Sequence, residues 1–171
     1  MIKLIDILKE AKQVGTLYHS TSGDNLISIL KSNSLKTGMP SPYTNEIPTA
    51  IFFTRNKNYR PGEYTMEIDG NKLSDNYKVH PYDSIGTRGE AEEYVDKTIE
   101  NLSKYLINIY ANVEAVQFEP YKEFEKIFQL YPSLKYTIGG EVLVDNELQR
   151  SEAVREIPRQ EAITYIKYNK Y

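Results

Sequence analysis

Two histidines occur among 171 residues, and the first, His19, ends an apolar-aromatic run in LYHSTSGDNL (residues 17–26). Ser20 and Thr21 follow directly. Ser22 or Asp24 can then accept from the free N–H groups of a helix's first turn, with Asn25 just inside it. A strand ending in His-Ser-Thr beside a helix start would gather a ring nitrogen, two hydroxyls and backbone amides. Such a set suits a sugar hydroxyl, an amide or a phosphate. A hydrogen-bonded core or rim histidine is the plainer reading of the same residues.

Three further stretches carry chemistry-capable side chains. In FFTRN (52–56), Arg55 directly follows an apolar run, so its stem can pack while its fork faces a cleft. A guanidinium fixed in this way matches paired phosphate oxygens, although a surface ion pair would use it equally well. In RGEAEEYV (88–95), strand alternation puts Glu90, Glu92 and Tyr94 on one side and Ala91, Glu93 and Val95 on the other. Two acids sharing one face repel. A carboxylate pair becomes useful where one member stabilises a developing positive charge and the other orients or deprotonates a nucleophile. An acidic edge strand is the alternative. Glu141, in IGGEVLV (138–144), is a reserve candidate for the essential acid, and a glycine bend explains that stretch without chemistry.

The elements that must hold these residues are short. GTLYH (15–19), AIFFT (50–54), EAEEYV (90–95), TIGGEVLV (137–144) and EAITYIKY (161–168) read as strands. EYTMEIDGNKL (63–73) reads as a strand entering an Asp-Gly turn. GDNLISILKSN (23–33) reads as a helix with Leu26, Ile29 and Leu30 on one face, and YKEFEKIFQL (121–130) as another with Phe124, Ile127 and Phe128 together. KTIENLSKYLINI (97–109) spaces Ile99, Leu102, Leu106 and Ile109 as a helix does, and residues 1–13 form an amphipathic pattern through Ile2, Leu4, Ile5 and Leu8. Short strands mixed with helices without strict alternation predict an α+β domain.

Composition narrows the function classes. The chain has the length of one domain and carries a net charge of −3, so it has no general field for polyanions; Arg55, Lys57 and Arg60 form only a local basic run. Cysteine is absent, which excludes disulfides and thiolate metal sites, and His19 and His80 alone do not suggest a metal centre. A cytosolic compartment is expected, with no membrane span and a start unlike a signal peptide. Dinucleotide, P-loop, zincin and nucleophile-elbow motifs are all missing.

In order and spacing, YHSTSGDNLISIL, IFFTRN and AEEYVDKTIENLSKYLINIYANV resemble the ADP-ribosyltransferases, specifically the DarT-like branch that modifies nucleic acid. IDGNKLSDNYKVHPYD resembles a stretch of phage proteins with the same layout. The resemblance covers residues 15–113 and implies a split β-sheet core with flanking helices, within a single domain. Residues 15–113 would be the NAD-binding and catalytic core, and 114–171 an extension completing the sheet. It implies NAD as substrate, held by His19, Ser20, Thr21, Asn25, Thr54 and Arg55, with His19 on the adenosine ribose and Arg55 on the diphosphate. Glu92 would accept from the 2′-hydroxyl of the nicotinamide ribose, and Glu90 would orient or deprotonate the acceptor. The acceptor would be a macromolecule (DNA, RNA or a host protein), in the setting of conflict between phage and bacterium. A catalytically inactive module of the same fold that sequesters a nucleotide or blocks a host protein is the alternative.

Overall fold

The computed structural model describes residues 14–38, 49–56, 62–82, 92–115, 120–139, 141–144, 147–150 and 154–168. Residues 1–13, including the amphipathic pattern, lie outside the description, as do Glu90 and the basic run from Lys57 to Arg60.

The fold is α+β. Strands β1 (Thr16–Thr21), β3 (Ile51–Thr54), β4 (Tyr64–Asp69), β5 (His80–Tyr82), β6 (Glu92–Val95), β8 (Leu106–Asn112), β9 (Lys135–Ile138) and β12 (Arg155–Ile157) form one mixed sheet in the order β12-β9-β8-β4-β1-β3-β6-β5. Only β8 and β9 run parallel. Two small pairs complete the strands: β2 (Ser34–Leu35) with β7 (Ile99–Glu100), and β10 (Glu141–Val144) with β11 (Glu147–Arg150). Among the described residues no helix is long and apolar enough to cross a membrane.

Helix α1 (Gly23–Ser32) turns Leu26, Ile27 and Ile29 inward and packs against α3 (Pro120–Leu130), whose Phe124 and Ile127 are buried. Leu17, Met66, Ile68 and Ile109 come from β1, β4 and β8 to complete a continuous apolar core. Helix α1 stops where Asn33 adopts the left-handed conformation, φ 50°, which asparagine tolerates better than most residues.

Three local expectations are corrected. KTIENLSKYLINI is not a helix: it is β7, a 3₁₀ turn at Leu102–Lys104 and the start of β8. Asn101 is left-handed, φ 53°, and interrupts the helical path. The branched and aromatic residues of LINIYAN then favour a strand paired with β4. The helical spacing was misleading because Ile99, Leu102 and Ile109 are all buried, but from separate short elements. EAITYIKY is not a strand: it belongs to α4 (Arg159–Tyr168), where the Ala162 amide bonds the Pro158 carbonyl. Ala162 and Ile166, four residues apart, are both buried. The Asp-Gly after β4 opens a helix rather than a turn. Asp69 caps a short helix, α2 (Gly70–Ser74), and accepts from the Lys72 amide at 3.1 Å.

Gly70 marks a close approach of two backbones. Its amide donates to the Gly15 carbonyl at 2.9 Å, and a Cβ there would lie 2.4 Å from the same oxygen and 2.6 Å from Val14. Gly70→Ala is therefore expected to destabilise the fold by about 1–3 kcal/mol. Gly15→Ala, with nothing within 4 Å of the added methyl, should stay within about 1 kcal/mol of the parent. Urea unfolding of both variants checks the contrast.

Candidate functional site

The sheet is joined unevenly at its centre. β1 pairs with β4 at six positions but with β3 only at Tyr18↔Thr54. Past that pair His19 makes the next link itself: its Nδ1 lies 2.9 Å from the carbonyl oxygen of Phe52. A carbonyl only accepts, so Nδ1 carries the proton. Burial lowers the pKa of His19, against the smaller opposing effect of the Phe52 bond, so the ring is neutral at pH 7. Nε2 is then an unprotonated acceptor.

A cleft of about 440 Å³ opens beside this joint, within the range of small-molecule sites. His19 and Thr21 line it from β1, Asn25, Ser28, Ile29 and Ser32 from α1, and Ile51 and Phe52 from β3; Ser34, Lys36 and Thr37 close another side. Asn25, Ser28 and Ser32 lie three and four residues apart, forming a polar strip along one helix face. Lys36 is the only charged side chain among the described lining residues.

Three of the sequence candidates, His19, Thr21 and Asn25, are thus brought together. Ser20 alternates to the other side of β1, where its hydroxyl meets that of Thr65 at 3.3 Å. Thr54 is buried, and its hydroxyl accepts from the Asn56 amide at 3.1 Å. The backbone of Glu92 opens β6 opposite Thr54 and Tyr82, and Glu141 opens β10 opposite Arg150, outside the main sheet.

Arg55 is held by a residue that sequence reasoning passed over. Its Nε donates to Glu93 Oε1 at 3.0 Å, and a terminal nitrogen of the fork contacts the same oxygen. Glu93 pairs with Phe53, whose ring is 5.8 Å from that of His19, so Glu93 is the acid of β6 on the His19 side of the sheet. It is 7% exposed, and its Oε2 is buried with no hydrogen-bond partner among the described residues. The alternation itself pointed to Glu93: it shares a face with Val95, and an apolar neighbour two residues along a strand marks the inward side.

The start of α1 is likewise occupied. The Gly23 amide donates to Glu63 Oε2 at 2.8 Å. The Glu123 carboxylate packs so closely that a Cβ on Gly23 would fall 1.4 Å from its Oε1. The helix amides expected to await an anion therefore face the protein's own acids. Desolvation, reinforced by Glu63 and Asp24 and opposed by Lys126, raises the pKa of Glu123. Among the described residues no group of three or more acids or histidines could hold a metal ion.

No protein-family model, curated protein or solved structure matches the chain.

Two outcomes follow from these carboxylates. The folded state binds the Glu123 proton more tightly than the unfolded chain, where the group titrates near 4.5. Its contribution to stability is full below that value and is lost as pH climbs through the raised native value. Glu123→Gln should remove this decline and stabilise the fold at pH 7, read from urea midpoints across pH 4–8. Arg55→Gln should lower the melting temperature by leaving the Glu93 carboxylate without its counter-ion. Adding Glu93→Gln should recover part of the loss, and a double-mutant cycle with no coupling would show the pair to be inert.

Proposed function

We propose that the protein transfers ADP-ribose from NAD to a macromolecular acceptor, with an ADP-ribosyltransferase-like arrangement of its split sheet. The observation that carries this reading is the cleft in which a neutral His19, with Nε2 left as an acceptor, stands beside Thr21 and Asn25. An acceptor nitrogen flanked by a hydroxyl and an amide complements the hydroxyls of a ribose. The single-pair joint between β1 and β3 supports the fold half of the reading, because it divides the sheet where the cleft opens.

In this mechanism His19 takes a hydrogen bond from the adenosine ribose, and Thr21 and Asn25 hold the nucleotide. The bond between ribose C1′ and the nicotinamide nitrogen breaks, its electron pair leaving with nicotinamide. The acceptor's nucleophilic atom bonds to C1′ and loses its proton. The resemblance gives Glu92 the bond from the 2′-hydroxyl, a contact that strengthens as positive charge grows on the sugar and so favours the transition state. Strand alternation puts Glu93, not Glu92, on the His19 side of β6, so this role requires the nicotinamide ribose to sit at the strand's end rather than over that face. Glu90 orients or deprotonates the acceptor. The resemblance to DarT-like enzymes favours a base in DNA or RNA, and a host protein fits the net charge of −3 equally.

One observation favours a second reading, a module that binds a nucleotide without turning it over: no carboxylate is among the described residues lining the cleft. The experiment that separates the two incubates the protein with labelled NAD and separate DNA, RNA and protein fractions. Released nicotinamide and the ADP-ribose mass on one fraction are expected. Glu92→Gln should slow transfer by about 10²–10³, and His19→Ala should weaken NAD binding. NAD binding without nicotinamide release would establish the module instead.

A further inference from the structure

We infer that Lys36 is the phosphate-binding residue of the cleft, and that the ligand it selects carries a diphosphate on a nucleoside. This rests on the nucleotide-binding half of the reading above and assigns its anionic end.

The two places where the sequence suggests a diphosphate are already filled by the protein's own acids. Arg55 is joined to Glu93 through Nε and a terminal nitrogen, so the paired donors that would grip phosphate oxygens hold a carboxylate. The first amide of α1 is bonded to Glu63, with Glu123 packed over it. An anion at either place would have to displace a carboxylate and overcome its repulsion.

Lys36 stands differently. It is exposed, and among the described residues it takes part in no ion pair. Its backbone is fixed on both sides. Ser34 and Leu35 pair with Glu100 and Ile99, and the Gly38 amide donates to the Ala50 carbonyl at 3.2 Å. Ala50 precedes by two residues the Phe52 whose carbonyl holds His19, about 7 Å along an extended strand. Lys36 lines the cleft from this anchored segment and brings three donors on a flexible four-carbon stem.

The neighbouring hydroxyls reinforce the assignment. Ser34 Oγ donates to Ser32 Oγ at 3.0 Å, and Ser32 Oγ donates onward within the backbone, to Ile29 at 3.3 Å or to Ser34 at 3.4 Å. Their protons are committed while lone pairs remain, so they suit a sugar hydroxyl better than a phosphate oxygen. That leaves Lys36 as the charged donor of the cleft, in a protein whose net charge of −3 offers an anion no general attraction.

Titration calorimetry at low salt with ADP and adenosine as probes tests the assignment. The wild-type protein should bind ADP about tenfold or more tightly than adenosine, a margin that narrows as salt rises. Lys36→Gln should bring ADP to the affinity of adenosine without changing adenosine itself, and Lys36→Arg should keep the preference. Equal binding of the two probes, no measurable ADP binding, or a preference that survives Lys36→Gln would overturn it. A wild-type protein that prefers ADP through Lys36 yet releases no nicotinamide from NAD refutes the transferase reading and leaves this assignment standing. Nicotinamide release unaffected by Lys36→Gln, with ADP and adenosine bound alike, does the reverse.

Discussion

The hydrogen bond from His19 to the Phe52 carbonyl lies where the sheet changes character, and the cleft depends on it. On one side, β12, β9, β8, β4 and β1 form a continuous ladder; on the other, β3, β6 and β5 form a second. Only Tyr18↔Thr54 joins them through strand pairing. Strands joined by a single pair leave backbone groups outside the ladder, and each such group that is buried needs another partner. The imidazole supplies one, which ties β3 to β1 just where α1 begins to cover them. A structural histidine and a ligand-binding histidine are therefore not competing descriptions of His19. The proton it gives to Phe52 is what leaves Nε2 as an acceptor.

Charge is arranged around this joint by the chain's own acids. Glu93 holds the Arg55 fork, and Glu63 and Glu123 surround the start of α1. Burying Glu93 costs desolvation that its contact with Arg55 offsets, and its second oxygen has no partner among the described residues. The adjacency of β3 and β6 makes the Arg55 pair, since Phe53↔Glu93 brings the two strands together two residues before Arg55. The charge of Arg55, which looks free along the chain, is thus spent within the fold, and among the described residues cleft chemistry is left to hydroxyls, the Asn25 amide, one neutral imidazole and one ammonium.

Much of this was legible in local pattern. The alternation in β1 and β4, the apolar run of β3 and the stripes of α1 and α3 each report their own periodicity, because their buried faces are built within single elements. Ile99, Leu102 and Ile109 misled because three short elements deliver them to one core. Residues 161–168 misled through β-like residue types, although Pro158 and the buried pair Ala162 and Ile166 mark a helix. At the site, His19, Thr21 and Asn25 could be grouped because they lie within seven residues. The partnership of Arg55 with Glu93 spans 38 residues and depends on strand register, which one sequence does not reveal. Lys36 was overlooked for the same reason: its place beside the cleft comes from the pairing of β2 with β7 and the link from Gly38 to Ala50.

The balance of donors and acceptors explains what such a cleft would discriminate. Neutral His19 offers an acceptor, and Ser32 and Ser34 have their protons committed along one chain of bonds and offer acceptors too. A wall of this kind favours a ligand that brings hydroxyl donors. With no described acid on the wall, a negative group meets no repulsion there, and Lys36 gives it one preferred position. A ribose carrying phosphate meets both conditions, a free base meets neither, and a bare sugar meets only the first. Selectivity then arises from the complementarity of the ligand's hydroxyl edge and its charged end to two different parts of one wall. Removing a ligand hydroxyl would leave a buried acceptor unpaired, a larger loss than that of a mere contact.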